Sequence, residues 1–337
     1  MRAVGLYQHL PIDKPDSLMD LDLPKPEPAG HDLLVRIEAV SMNPVDTKVR
    51  APGKPARTTP LVLGWDAAGV VDAIGPAVSL FTPGDKVFYA GDITRPGSNS
   101  EYHLVDERIA GHRPHSLSAE AAAAFPLVSI TAYEALFDRL GVEVDGQSRG
   151  RTLLVIAGAG GVGSMTIQLA KLAGVTVLAT ASRPESTAWV KHLGADHVLD
   201  HRRPLRPQLE AAGYKTVHYI LNCADTDAYW DTMADLIVPQ GKICTIVENK
   251  GPLDQQVMKL KSVTHVWELM FTRSKYQTED MTEQHKLLDR IADWIDNGTI
   301  KGILRETLEP INAANLKKAH AKLESGTMIG KLALKGW

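Results

Sequence analysis

Six residues near the middle of the chain, Gly158-Ala159-Gly160-Gly161-Val162-Gly163, have the spacing G-x-G-x-x-G. Gly158 permits a tight turn, Gly160 lets backbone N–H groups approach a pyrophosphate, and Gly163 lets a helix lie close to the strand before it. The N–H groups that open a helix here, from Gly161 and Val162 onward, favour an anion. A second stretch, Thr180-Ala181-Ser182-Arg183, follows the next apolar run. It has no Asp or Glu to hold a ribose 2′-hydroxyl. Ser182 can donate a hydrogen bond, and Arg183 can pair with a 2′-phosphate. A dinucleotide is therefore expected, with NADPH preferred to NADH. Asn222 and Cys223 end another apolar run and Val247 ends the next, at the carboxyl ends of predicted strands. That side of such a sheet faces the ligand.

These groups need a scaffold. The run 152–157 is short, apolar and bounded by Arg151 and glycine, as a strand buried on both faces would be. Residues 164–173 carry apolar side chains at three- and four-residue spacings, with Gly174 just past the end, which predicts a helix. Strands at 175–179, 195–199, 217–223 and 241–247 then alternate with helices at 185–192 and 227–237. That rhythm predicts a doubly wound parallel sheet. Before it come strands at 2–6, 33–40, 67–74, 85–90 and 101–105, separated by Pro/Gly clusters, which predict a compact, barrel-like β domain. Helices are expected at 118–125, with Ser118 as N-cap and Pro126 ending or bending it, and at 131–140, stopped by Gly141. After an amphipathic helix at 281–297, a strand at 303–308, a helix at 312–323 and a strand at 331–334 return the tail to the first domain. The expected division is 1–126 with 300–337 against 127–299.

The chain's 337 residues allow about two domains. Its 44% apolar and 23% charged content is that of a globular protein, and its net charge of −3 offers no footprint for nucleic acid. No apolar run is long enough for a membrane span, and Gln8, His9, Asp13 and Lys14 interrupt any signal-peptide core. Two cysteines, Cys223 and Cys244, cannot frame a disulfide scaffold. A cytoplasmic location is expected.

Several further stretches carry a resemblance. Ser41-Met42-Asn43-Pro44-Val45-Asp46, Leu63-Gly64-Trp65-Asp66-Ala67-Ala68-Gly69, Gly75 through Gly84-Asp85-Lys86-Val87 and Ala157 to Gly163 resemble the motifs of the medium-chain dehydrogenase/reductase superfamily, over essentially the whole chain. Phe88-Tyr89-Ala90-Gly91, Thr180-Ala181-Ser182-Arg183 and Met328-Ile329-Gly330-Lys331-Leu332 resemble its quinone oxidoreductase branch, in particular "zinc-type alcohol dehydrogenase-like" proteins. The resemblance implies an α/β chain: an N-terminal GroES-like β-barrel domain plus a Rossmann domain. It also implies that Asn43 and Asp46 shape the floor of the substrate site, with Lys48 and Tyr89 as candidate proton donors. Thr131 would touch the nicotinamide carboxamide, His201 would stand beside the cofactor where tyrosine is common, Phe271 would cover the nicotinamide, and Lys331 would contribute to the cofactor site.

Zinc members of the superfamily hold their metal with Cys, His and a second Cys. Here Asn43 or its neighbours occupy the first position, Trp65 stands where the His would be, and both cysteines fall in the nucleotide fold. No metal is expected. Conjugated substrates then fit better than simple alcohols, because their own conjugation polarises the carbonyl. The expected activity is NADPH-dependent reduction of a quinone or an α,β-unsaturated carbonyl. A metal-dependent alcohol dehydrogenase and a non-catalytic NADPH-binding protein are the competing readings. A homodimer built through the β-rich stretch 262–267 is implied by resemblance.

Overall fold

The apolar runs of the second half assemble into one sheet in the computed structural model, which describes residues 1–144, 146 and 148–337. The strands lie in the order His197–Leu199, Thr176–Thr180, Thr152–Ile156, Val217–Asn222, Ile237–Thr245, Thr264–Trp267. Every neighbouring pair is parallel. Winding reverses beside Thr152–Ile156, which makes the carboxyl ends around it the switch point where such sheets take ligands. All five residues of that strand are buried. Leu154 stands in register with Leu178 on one side and Ile220 on the other. Trp230 and Met233 of the Thr226–Leu236 helix join these residues and Ile243 in one apolar cluster. Each such buried side chain contributes about 2 kcal/mol relative to exposure.

This sheet and its helices form the unit Thr131–Met270, while Met1–Ile130 and Phe271–Trp337 form another. The latter is organised on one long strand, Asp32–Ser41. Tyr102–Asp106 pairs with its first half, Lys331–Lys335 with its end, and Ala67–Ile74 with its opposite edge, all antiparallel. Register shifts between Leu34 and Val35 and between Ile37 and Ala39 let the strand bend enough to serve all three. Lys86–Tyr89 and Ala110–His112 extend the sheet at one end and Leu304–Leu308 at the other. A smaller sheet joins Met19–Asp22, Arg2–Leu6 and Leu61–Val62. The tail therefore returns to the strand-rich half through Lys331–Lys335.

Two expectations need correction. The second unit closes at Met270, so residues 271–299 do not belong to the dinucleotide fold. The reason is packing: the helix Glu283–Asp296 lies on the strand Ala110–His112, where the His112 N–H donates to Asp289 Oδ1 at 2.7 Å. A Cβ added to Gly111 would stand 2.5 Å from Leu288 Cβ, so only glycine permits that approach. Second, the helix expected over 131–140 begins at Pro126 and runs to Tyr133, then continues as a π-helical turn, Glu134–Arg139. Proline at a first helical position loses no bond, so Pro126 starts a helix rather than only ending one. Among the described residues no helix is long and apolar enough to cross a membrane.

Candidate active site

Asn43 is the N-cap of a helix, Pro44–Arg50, and its backbone N–H donates to Asp46 Oδ2 at 2.7 Å. The Asn43 side-chain amide donates to Asp66 Oδ2 at 2.8 Å and to the Trp65 carbonyl at 3.1 Å. Lys331 arrives from the returning tail. Its ammonium donates to Asn43 Oδ1 at 2.5 Å, to Asp66 Oδ2 at 2.8 Å and to the Met42 carbonyl at 2.8 Å. Asp66 Oδ1 accepts from the Leu127 N–H at 2.7 Å. All four polar residues are buried, Asp46 and Asp66 completely. Two carboxylates thus lie buried near one ammonium, which bonds Asp66 directly. Desolvation pushes Asp46 up to about 7, against the pull of the Asn43 N–H and Lys331. Desolvation raises Asp66 too, with Lys331 opposing it.

This network corrects the role expected of Lys331. An ammonium has three protons to donate, and here three acceptors of the same unit take them. Lys331 ties the tail to the Asn43 turn rather than reaching for a coenzyme. Nor do these residues fit zinc. The Lys331 ammonium bonds both Asn43 and Asp66, where a metal ion would have to replace it. Trp65 turns its indole N–H toward the Asp92 carbonyl at 3.4 Å and its ring edge toward Phe271, with centroids 6.3 Å apart. Cys223 and Cys244 belong to the other unit, and burial pushes the Cys223 thiol up to about 12. Among the described residues no three His, Cys, Asp or Glu side chains are grouped to hold a metal.

Tyr89 does not serve as the expected proton donor. Its ring is fully buried and its hydroxyl lies 3.0 Å from His103 Nδ1, while His103 Nε2 lies 2.9 Å from the Pro96 carbonyl. Burial lowers His103 to about 4, so it is neutral. With Nε2–H given to Pro96, Nδ1 accepts the phenol's proton, and the pair locks the strand Lys86–Tyr89 to its neighbours. Lys48 lies exposed on the Pro44–Arg50 helix. Phe271 is buried against Trp65, so its ring is a packing partner of the Asn43 turn.

In the other unit the glycine loop has the geometry its spacing predicts. A Cβ on Gly163 would lie 2.6 Å from the Ala157 carbonyl oxygen and 2.7 Å from Gly158 backbone atoms. A Cβ on Gly158 would lie 2.8 Å from Ala179 Cβ, whereas the nearest atom to one on Gly160 is 3.6 Å away. Gly160 is the N-cap of Gly161–Leu172 and has no side chain to cover the first-turn N–H groups of Gly161, Val162 and Gly163. Ala157 sits at φ 63°, and its N–H donates to Thr180 Oγ1 at 2.8 Å. These features leave a cradle open to a pyrophosphate, and the residues fit a dinucleotide.

At the end of the second strand, Ser182 and Arg183 are half-buried, with Arg183 as N-cap of Pro184–His192. Sequence reasoning missed a second guanidinium. Arg202 donates to the Ser182 carbonyl at 2.6 Å and grips Asp200 at 3.0 and 2.9 Å. Those bonds hold the Asp200 carboxyl down at about 2. His201 between them is exposed. The signal available was Asp200-His201-Arg202-Arg203 directly after the third strand. Asn222 is buried, its amide oxygen accepting from the Ala224 N–H at 3.0 Å, and the Val247 carbonyl accepts from Thr226 Oγ1 at 2.5 Å. Asn222 is the last residue of its strand, and Val247 lies two residues past the end of Ile237–Thr245. Thr131 is buried inside the helix Pro126–Tyr133, not at a helix start.

Residues 29–122 match the alcohol dehydrogenase GroES-like domain, and residues 193–334 match the family described as zinc-binding dehydrogenase. A zinc-type alcohol dehydrogenase-like protein of Staphylococcus aureus is 42% identical over 335 residues, 99% of each chain. A chloroplastic quinone-oxidoreductase homolog of Spinacia oleracea is 33% identical over 253 residues, 74% of this chain and 75% of that one. Among solved structures, a Rhizobium etli protein described as a zinc-dependent alcohol dehydrogenase matches with TM-score 0.95 and 49% identity, over 100% of this chain and 98% of that one. A mycobacterial protein complexed with NADPH matches with TM-score 0.85 and 26% identity, over 99% and 100%. With its GroES-like unit, its glycine-cradled parallel sheet and these relatives, the chain belongs to the medium-chain dehydrogenase/reductase superfamily of oxidoreductases, in the quinone oxidoreductase branch.

Proposed function

We propose that the protein is an NADPH-dependent reductase of quinones or α,β-unsaturated carbonyls that works without a metal, and that it acts as a homodimer. The observation that carries this reading is the cationic corner at Ser182, where Arg183 and Arg202 stand and Asp200 is already paired with Arg202. A 2′-phosphate suits that corner better than a bare ribose. The mycobacterial relative complexed with NADPH supports the same choice.

NADPH, when bound, supplies the hydride. The chain supplies the rest. Gly161, Val162 and Gly163 orient the pyrophosphate through their N–H groups. Arg183 and Arg202 hold the adenosine end. In the other unit, Asn43, Asp66 and Lys331 fix the turn that shapes the substrate's surroundings. With no zinc set to polarise a carbonyl, the substrate must bring its own conjugation. Hydride addition at the β-carbon leaves an enolate, or a hydroquinone anion from a quinone. Asn43 and Tyr89 have their donor protons engaged within the unit, so we assign the proton that neutralises this anion to solvent. Lys48, exposed on the Pro44–Arg50 helix, favours the anion electrostatically.

The test is loss of NADPH absorbance with a small quinone and with an enone, using chelator-washed protein. Decay with either, unchanged by added zinc, is expected. Tight NADPH binding without turnover across a broad panel would leave a binding protein instead.

A further inference from the structure

Within the GroES-like unit, a pocket of about 870 Å³ opens beside Trp65. The carbonyl of Trp65 accepts from Asn43 and the next residue is Asp66, so one wall of this pocket backs directly onto the buried network. Val49, Ala56, Leu61, Val62 and Ile93 give it apolar wall, and His9, Thr58, Thr59 and Thr94 give it polar wall. Its cations are Lys54, Arg57 and Arg95, and no Asp or Glu lines it. Two of these cations are already engaged. Arg95 donates to Asp32 Oδ1 at 2.7 Å, and Lys54 donates to the Val49 carbonyl at 3.0 Å. Arg57 differs. Its backbone N–H is anchored to the Tyr7 carbonyl at 2.8 Å, yet its guanidinium has no ion pair or hydrogen bond among the described residues.

The loop that presents Arg57 is Ala51-Pro52-Gly53-Lys54-Pro55-Ala56-Arg57-Thr58-Thr59-Pro60. Three prolines fix φ along it, which lowers the ordering entropy lost when a ligand binds. A pocket of mixed polar and apolar lining, with an unpartnered guanidinium and no carboxylate among the described residues, matches an amphiphilic anion. A planar carboxylate suits the guanidinium fork.

We propose that this pocket takes a substrate whose reducible enone or quinone head is joined to an apolar body ending in a carboxylate, with Arg57 as the residue that selects the acid. The proposal rests on the reductase reading for the head group, but not for the carboxylate.

The probes are a straight-chain enone ending in a carboxylate and its methyl ester, assayed by NADPH absorbance loss with the wild type, Arg57→Gln and Arg57→Glu. The wild type is expected to favour the acid over the ester in kcat/KM. Arg57→Gln should lower that ratio about fivefold, the upper range for a single solvent-facing ion pair, and Arg57→Glu should lower it further, with the ester unaffected. A separate arm needs no turnover: calorimetry of the saturated keto acid and its ester, expected to show about fivefold weaker acid binding in Arg57→Gln. Equal treatment of acid and ester by the wild type, or a ratio unmoved by Arg57→Gln, overturns the proposal while leaving the reductase intact. No turnover of either probe combined with Arg57-dependent binding of the keto acid overturns the reductase reading and upholds the pocket.

Discussion

Asp46 sits in an environment that its sequence context does not reveal. Nothing in Ser41-Met42-Asn43-Pro44-Val45-Asp46 shows that this carboxyl is fully buried, with Oδ2 held by the Asn43 N–H. Its folded value of about 7 lies above the ordinary 3.8. The proton therefore binds the folded chain more tightly. The stabilisation is complete below the ordinary value and drains as pH rises towards about 7, at up to about 1.4 kcal/mol per pH unit. Asp46→Asn keeps an oxygen for the Asn43 N–H and removes the ionisation. Relative to wild type, its thermal midpoint should rise between pH 5 and pH 8; a constant difference would show that Asp46 is already ionised at the lower pH. Coenzyme choice is also a residue-scale matter. Arg183→Ala and Arg202→Ala should each weaken NADPH binding about tenfold, within the range of a charge-assisted contact, and leave NADH nearly unchanged. Titrations in which NADPH and NADH weaken together would move the phosphate contact elsewhere. Arg183 could be found from the sequence because it follows its strand directly. Arg202 also follows its strand closely, but its place beside Ser182 shows only once Thr176–Thr180 is paired in parallel with His197–Leu199. Lys331 was misassigned for the same kind of reason, since its partner Asp66 lies 265 residues away.

At the scale of elements, legibility follows period and length. The parallel strands were readable because both faces are buried, so their apolar runs are continuous and glycine marks their ends. The strand Thr152–Ile156 and the helix Gly161–Leu172 agree with expectation within a residue or a few at each end. The short helix Pro44–Arg50 was not foreseen, because Asn-Pro reads as turn chemistry while also serving as an N-cap followed by proline at the first helical position. The π turn Glu134–Arg139 left no local signal. It carries Glu134 and Arg139, and Arg139 pairs with the buried Glu268 at 2.7 Å, beyond the strand Thr264–Trp267. The junction of Thr152–Ile156 with Gly161–Leu172 gives an element-scale test. Valine at position 163 would drive its Cβ into the Ala157 carbonyl, a backbone atom that can move only with the strand. Gly163→Val should destabilise the protein by about 1–3 kcal/mol in denaturant melts and abolish measurable NADPH binding. A variant that kept wild-type affinity would show that helix and strand need not approach so closely for the cradle to form.

At the scale of the whole molecule, the parallel sheet has an unfinished edge. Among the described residues Thr264–Trp267 pairs only with Ile237–Thr245, leaving a row of backbone groups along its outer side. Large apolar side chains are exposed on and near this edge: Trp267 at 45%, Leu269 at 50% and Leu260 at 93%. An unpaired strand with aromatic and leucine side chains around it is a ready template for another strand, and a second copy of this chain supplies an identical one. Antiparallel pairing of two such edges would cover the open backbone groups on both copies and bury both tryptophans together. The wild type should therefore elute and scatter light at twice the chain mass. Val266→Pro, which removes a backbone donor and fixes φ on the edge, and Trp267→Glu, which places two like charges across the two-fold, should each shift the protein towards the single-chain mass. Because Val217–Asn222 and Ile237–Thr245 lie between this edge strand and Thr152–Ile156, which carries the cradle, NADPH affinity per chain should hold in both variants. Retention of the doubled mass by both variants would place the contact on another surface, and a wild type already at single-chain mass would remove the dimer from the proposal altogether.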